Sequence, residues 1–300
     1  MPTFPHPQWN ILIDFCFGDN ELPIGYDIIG PWTEVKLDIL RQYAAPYSRI
    51  VTKHGFYHLY IDAYAAGGSH ISRTTGEVVP GSPLIALATE PPFREYHFID
   101  VDATRVDQLK HHTANRTDTH VHPGNCNEIL MRDVFPRARY EDRRRALCLL
   151  DPYNIDLRWE VIAAAGQMNS IEVFVNLMAM DMNMNILLRD PAEAEPVQIA
   201  RMDHFWGDGS WRNVAYGPNP QGHFFGDAED VKVDDANEKI AEAYRRRLIQ
   251  IAGFAYAPQP LRFVNSLGFT IYYLFFASPN QTGKKIVEDI FKKHREQQGI

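Results

Sequence analysis

Apolar runs rich in β-branched and aromatic residues alternate with segments of helical spacing, and this alternation confines the chain to an α/β fold built on a parallel sheet. The runs are Phe56-Tyr-His-Leu-Tyr-Ile61, His97-Phe-Ile-Asp-Val101, Thr119 to Pro123, Arg145-Ala-Leu-Cys-Leu-Leu150 and Ser170 to Leu177. Between them the spacing predicts helices at Ala103–His111, Asn127–Phe135 and Arg158–Gln167, and a helix start at Gly81–Leu87 with Ser82 as N-cap and Pro83 at N1. Ahead of the first run, Val35, Ile39, Leu40, Tyr43 and Tyr47 predict an amphipathic helix over Thr33–Ala45, capped by Thr33 and ended or kinked at Pro46.

The rest of the chain reads as one domain over 32–300. An irregular arm rich in Pro, Gly and aromatics (1–31) precedes it, and a helical piece plus a long loop-rich insertion interrupt it at about 186–233. Ser69 to Pro80 reads as a polar loop. Asp234 to Ala252 returns to helix, Leu261–Val264 and Thr270–Ala277 are close enough to pair antiparallel, and Thr282–His294 closes the chain as a charged helix. With 45% hydrophobic and 23% charged residues among 300, a disordered or fibrous protein is excluded. The net charge of −8 argues against a basic coat but allows a local basic cleft. Cys16, Cys126 and Cys148 form no CxxC pair, so neither a disulfide framework nor a thiolate zinc site is expected. The opening Met1-Pro-Thr-Phe-Pro-His-Pro has no signal-peptide pattern and no long apolar window exists. The expectation is a cytoplasmic protein without a membrane span.

In an open α/β sheet, ligands bind beyond the carboxyl ends of the strands. The first run ends in Asp62-Ala-Tyr64-Ala-Ala66-Gly67-Gly68, the second in Asp100-Val-Asp102, the third in Gly124-Asn125-Cys-Asn127 and the fourth in Asp151-Pro152-Tyr153-Asn154. A glycine turn admits close approach of a ligand to the backbone. An acid one βαβ unit later can accept from ribose hydroxyls, and a polar side chain after the third strand can meet an adenine edge. Taken singly, Asp100 or Asp102 reads equally as a cap for Ala103, and Asn125 as a turn residue. In chain order, the four ends together describe a nucleoside-bearing cofactor. The turn lacks G-x-G-x-x-G, which disfavours a nicotinamide dinucleotide.

Asp62-x-Tyr-Ala-x-Gly-Gly68, Phe98-Ile-Asp-Val-Asp102 and Leu150-Asp-Pro-Tyr-Asn154 resemble motifs of the class I S-adenosylmethionine-dependent methyltransferases. Trp32-Thr-Glu-Val-Lys36, Tyr60-Ile-Asp-Ala-Tyr64, Gly124-Asn-Cys-Asn127 and Leu149-Leu-Asp-Pro-Tyr153 resemble more closely the three-Cys-motif partner proteins, over most of residues 30–295. The resemblance implies a Rossmann-like fold: a mostly parallel seven-stranded sheet with an antiparallel C-terminal edge hairpin and helices on both faces. It implies S-adenosylmethionine as cofactor, held by Asp62, Tyr64, Ala66, Gly67, Gly68, Asp100, Asp102 and Asn125. It also implies a partner that resembles radical S-adenosylmethionine enzymes. Related enzymes that methylate exocyclic amines of nucleobases place an Asp-Pro-aromatic motif where Asp151, Pro152 and Tyr153 stand. Ala66 replaces the first glycine of the usual turn, Asn125 replaces a common acid, and Asn154 replaces a glycine.

Lys36, Asn154, Trp206, Trp211 and Arg212 are the candidate contacts to a DNA or RNA substrate, the two tryptophans and Arg212 as a stacking lid or, alternatively, as an anchor for the insertion. Arg137, Arg139, Arg143, Arg144 and Arg145, and separately Arg245 to Arg247, read either as a phosphate rim or as a paired, solvated face. His111-His112 and His120-x-His122 lack the i, i+4 spacing of a helical zinc pair, so no metal site is expected. Two functions remain: methyl transfer to a nucleobase amine, or a methyltransferase-shaped protein that binds nucleic acid or supports the three-Cys partner.

Overall fold

The computed structural model describes residues 27–219 and 230–298. Most of the arm and the glycine- and proline-containing stretch at 220–229 lie outside the described residues. The elements, in chain order, begin with β1 (Asp27–Ile29), α1 (Pro31–Lys53), β2 (Tyr57–Asp62), β3 (Ser69–Ser72), β4 (Val78–Pro80) and α2 (Ser82–Leu87). Next come β5 (Glu95–Asp100), α3 (Ala103–His112), β6 (Thr119–Pro123), the short α4 (Cys126–Ile129), β7 (Arg144–Leu150), α5 (Trp159–Gln167) and β8 (Ile171–Leu177). The remainder is α6 (Ala179–Asn185), α7 (Pro196–Trp206), α8 (Arg212–Ala215), β9 (Tyr216–Pro218), β10 (Asp230–Lys232), α9 (Ala236–Gln250), β11 (Leu261–Val264), β12 (Thr270–Ala277) and α10 (Gln281–Gln298).

The main sheet has seven strands in the order β11-β12-β8-β7-β2-β5-β6. β6, β5, β2, β7 and β8 run parallel, whereas β12 runs antiparallel to both β8 and β11. After β2 the chain builds outward through β5 and β6, then crosses back to β7 and β8. The order therefore reverses between β2 and β7, which marks that junction as the ligand crevice. This is the expected Rossmann-like architecture, a mostly parallel seven-stranded sheet with an antiparallel edge hairpin and helices on both faces. One apolar core lies between the sheet and α4, α5, α6, α7 and α9. The other lies between the sheet and α1, α2, α3 and α10, with Tyr43, Phe174 and Phe276 meeting edge to face. Sheet faces buried on both sides explain why β7 and β8 are almost unbroken apolar runs. Among the described residues no helix is long and apolar enough to cross a membrane.

Four local expectations change. α1 starts at Pro31 with Gly30 as its cap and runs through Pro46 to Lys53. A proline inside a helix costs about 3 kcal/mol, and burial of Tyr43, Tyr47 and Val51 on the sheet offsets it. α2 is capped by Gly81, so Ser82 is its first residue rather than its cap. The segment expected as a loop at Ser69–Pro80 is a hairpin, β3 with β4, to which β1 adds a parallel third strand. The hairpin closes on itself, because the Gly81 N–H donates to the Gly68 carbonyl at 2.8 Å. Finally, the described part of the insertion is mostly helical turns, packed down by Trp206 and Trp211.

Candidate active site

Asp62 ends β2 in the centre of the sheet and is fully buried. Its Oδ2 accepts from the Tyr60 hydroxyl at 3.2 Å, while Oδ1 has no partner. Burial pushes its pKa up to about 7, the negative charge of Asp151 adds to the rise, and the nearby Ser82 and Tyr60 hydroxyls oppose it. Ser82 belongs to the start of α2, so the hairpin returns the chain to the same spot.

The turn after β2 is held by the next strand. Asp100, at the end of β5, accepts from the Ala66 N–H at 3.0 Å and from the Asp102 N–H at 2.9 Å. Ala66 sits at φ 51°, in the left-handed region, where a Cβ costs about 1–2 kcal/mol. Gly68 has φ 94°, and a Cβ on Gly67 would lie 1.9 Å from the Gln108 Oε1. The turn is thus packed tightly against α3.

Asp151 follows β7 and receives side chains from three directions. Lys36, from the first turns of α1, is buried and ion-paired with Oδ2, and Asn176 on β8 donates Nδ2 to Oδ1. Because a carboxylate only accepts, this bond fixes the amide orientation and leaves the buried Asn176 Oδ1 without a partner. Tyr272 on β12 lies under Lys36, its ring centroid 5.4 Å from Nζ, and donates its hydroxyl to the Trp32 carbonyl at 2.9 Å. Pro152 is buried, Asn154 is half-buried, and Tyr153 is 54% exposed. The Arg105 guanidinium stands 5.2 Å over the Tyr153 ring, pairs with Asp27 at 2.8 Å and reaches Asp100 at 4.0 Å. His70, on β3, is buried among these groups with Nδ1 unpartnered. Burial pulls its pKa down, and Asp27 and Asp151 pull it back up.

Asp62, Asp100 and Asp151 therefore meet at the carboxyl edge of three adjacent strands, with Lys36, Ala66, Gly67, Gly68 and Tyr153 around them. Several other expected contacts are redirected. Asp102 is exposed and caps α3 by accepting from the Arg105 N–H at 3.0 Å. Asn125 caps α4, its Oδ1 taking both the N–H and the Nδ2 of Asn127 at 2.9 and 3.1 Å, so the oxygen assigned to adenine is engaged. Tyr64 turns its ring into the core and its hydroxyl towards Cys126. Trp206 and Trp211 are 1% and 2% exposed and bond to Ser210 and Asp203 through their indole N–H groups. Arg212 pairs with Asp203 and covers the Trp211 ring. A stacking lid needs an open ring face, and these rings have none.

The arginines before β7 lie at the amino ends of the strands, away from the cleft, so they form no rim for it. Arg143 and Arg145 stack on Phe56, Arg145 also on Tyr140, and Arg144 on Tyr57. Arg245 and Arg246 pair with Glu242, and Arg247 with Asp208. Sequence reasoning missed Asp27, His70, Ser82, Arg105, Asn176 and Tyr272. Asn176 carried a signal, as a polar residue inside the apolar run Ile171–Leu177. Asn127 also ties the third and fourth strand ends together, donating to the Asp156 carbonyl at 3.0 Å and accepting from the Arg158 N–H at 2.8 Å.

No protein-family model and no curated protein matches the sequence. The likeness to three-Cys-motif partner proteins therefore stands on the quoted motifs alone. Among solved structures, protein LPL1258 from Legionella pneumophila is similar over 86% of this chain and 91% of its own, at 9% identity and a TM-score of 0.48. The trans-methyltransferase CalH, in complex with SAH, is similar over 82% of this chain and 59% of its own, at 12% identity and a TM-score of 0.37. The CurJ carbon methyltransferase is similar over 75% of this chain and 49% of its own, at 10% identity and a TM-score of 0.35. At these identities and scores the chemistry of the cleft has to be taken from its own side chains.

Proposed function

We propose that the protein transfers a methyl group from S-adenosylmethionine to an exocyclic amine of a nucleobase in DNA or RNA. The observation that carries this reading is the convergence of Asp62, Asp100 and Asp151 at the point where the strand order reverses. The donor set suits the cofactor. The unpartnered Asp62 Oδ1 fits a cationic amine, and Asp100 keeps lone pairs for ribose hydroxyls beyond the two backbone N–H groups that it holds. Only a bare backbone fits at Gly67 unless Gln108 moves. When bound, S-adenosylmethionine supplies an electrophilic methyl group.

Asp151 and the backbone carbonyl of the Asp-Pro-Tyr turn accept the two N–H bonds of the target amine, whose lone pair is otherwise delocalised into the base. They favour the tetrahedral nitrogen of the transition state. Lys36 and Asn176 hold the Asp151 carboxylate in place, and Tyr153, backed by Arg105, offers an exposed ring face to the base. In-line positioning of this kind can supply about 7–11 kcal/mol. The quoted motifs extend the proposal to a three-Cys, radical-enzyme-like partner, which co-purification with the tagged chain tests.

A second reading keeps the shape without the transfer, as a protein that binds nucleic acid or supports the partner. Ala66 in the left-handed region and the closed Lys36–Asp151 pair favour it. Calorimetric titration with S-adenosylmethionine, followed by transfer of labelled methyl groups to DNA and to RNA, separates the two. We expect saturable binding, with Asp151→Asn keeping that binding and losing about 100-fold or more of the transfer rate. No heat at millimolar cofactor with folded protein would refute the proposal. Binding without transfer would leave the second reading.

A further inference from the structure

On β5 and β6 of the same sheet, running from Glu95 at the start of β5, about 17 Å along the strand from Asp100, to His122 opposite Ile99, lies a cluster that the methyl-transfer reading does not use. Glu95 and His97 stand two residues apart on β5, and His120 and His122 two apart on β6. The strands pair in parallel with His97 opposite His120 and Ile99 opposite His122. Side chains alternate along a strand, so this register places all four on one face. The three imidazoles stack: His97 to His120 at 4.9 Å and 19°, and His97 to His122 at 5.3 Å and 17°.

The donor atoms converge. His97 Nε2 is 2.8 Å from Glu95 Oε1, and His120 Nε2 is 3.8 Å from the same oxygen. Among the described residues, Glu95, His97 and His120 are the one group of three potential ligands whose donor atoms all lie within 4.8 Å of one another. Neighbouring ligands of a tetrahedral zinc ion are about 3.4 Å apart, given bond lengths near 2.0–2.2 Å, so shifts of about an ångström complete the set. His97 Nδ1 lies 3.0 Å from His122 Nε2. An N–H there donates to His122 and leaves Nε2 as a lone-pair ligand, the outer-partner arrangement common to metal-bound histidines. His97 and Glu95 are buried, whereas the His120 side chain is 42% exposed, which opens the fourth position to water.

We propose that Glu95, His97 and His120 form a binding site for zinc or another borderline divalent cation, with His122 as the outer partner of His97. Imidazole with carboxylate is the donor set these ions take. Two guanidiniums now balance the Glu95 charge: Arg137 on Oε1, and Arg144 on Oε2 at 3.4 Å, where the Tyr57 hydroxyl also donates at 3.1 Å. Arg137 is 44% exposed and is the group that the cation displaces. On binding, the His97 proton moves from Nε2 to Nδ1 by a tautomer shift, and His122 presents Nε2 as acceptor with its own proton on Nδ1. No proton is lost from the neutral imidazoles and no redox change occurs.

The test uses the full chain, stripped with chelator and titrated with zinc chloride by calorimetry, with cobalt(II) as the spectroscopic probe. One equivalent of zinc is expected, and cobalt is expected to give the visible bands of tetrahedral coordination. His120→Ala, at an exposed ligand, is expected to weaken zinc binding by about 100-fold or more, and His122→Ala by about 10–100-fold. Arg137→Ala is expected to bind as tightly as the parent or more tightly. Circular dichroism checks the fold of each variant, and His120→Gln replaces His120→Ala if that variant fails to fold. No saturable binding at millimolar zinc, unchanged affinity in the folded His120 variant, or weaker binding in Arg137→Ala would each overturn the proposal. These readouts need neither cofactor nor substrate, so they stand apart from the methyl-transfer test.

Discussion

Replacing Asp62 with asparagine is expected to flatten the pH dependence of stability while removing the function of the cleft. The native carboxyl titrates at about 7, against about 3.9 in an unfolded chain. Between those values the native state keeps a proton that the unfolded state has released. Stability then falls as pH rises, by about 1.4 kcal/mol per pH unit. The contribution of Asp62 is complete below about pH 4 and lost as pH passes through about 7, which amounts to about 2.7 kcal/mol between pH 5 and pH 8. Glu172, also pushed up to about 7 by burial, adds a parallel loss that the variant retains. Urea unfolding at pH 5, 6, 7 and 8 measures the difference: the variant is expected to lose about half as much stability as the parent over this range. The same proton appears in binding. A cationic cofactor beside Asp62 draws it off, so titrations near pH 7 in buffers of different ionisation enthalpy are expected to show release of about half a proton in the parent and none from this site in the variant. Equal pH slopes for the two proteins would refute the reasoning.

Ala66→Gly removes the Cβ from a left-handed position. The relief of about 1 kcal/mol is partly offset by the freer unfolded chain, so thermal unfolding is expected to move up slightly and cofactor affinity to rise, both read by a melt with and without S-adenosylmethionine. Trp211→Ala empties a site in the core of the insertion and is expected to cost about 3–5 kcal/mol in chemical denaturation. Because its ring is not a lid, cofactor affinity at temperatures where the variant is folded is expected to stay unchanged.

The sheet was legible because apolar period and strand ends are local signals. Each of Asp62, Asp100 and Asp151 follows its own apolar run, and the fold then supplies their proximity. Lys36 was legible only through the motif resemblance, since helical spacing alone places it on the surface. Asp102 and Asn125 serve as helix caps for a physical reason. A polar residue between a strand and a helix is equally suited to a ligand or to the first orphan N–H groups of the helix, and sequence does not show which donor arrives first. Arg105, His70 and Asn176 enter the cleft from neighbouring elements, so their roles depend on packing that no local pattern encodes. For the histidines the relevant period is that of a strand, where two residues is the full repeat, so His120-x-His122 presents both imidazoles to one face.

The bond between Gly68 and Gly81 makes the hairpin a detour that leaves and rejoins the cleft at one point. Loop-closure entropy grows only slowly with length, so the exposed tip of the hairpin at 74–77 is free to lengthen or shorten without shifting Asp62 away from Ser82. Nearness of a glycine turn to its helix is then a property of where two chain ends are tied, and a pattern search that demands the two in unbroken succession passes over proteins built this way.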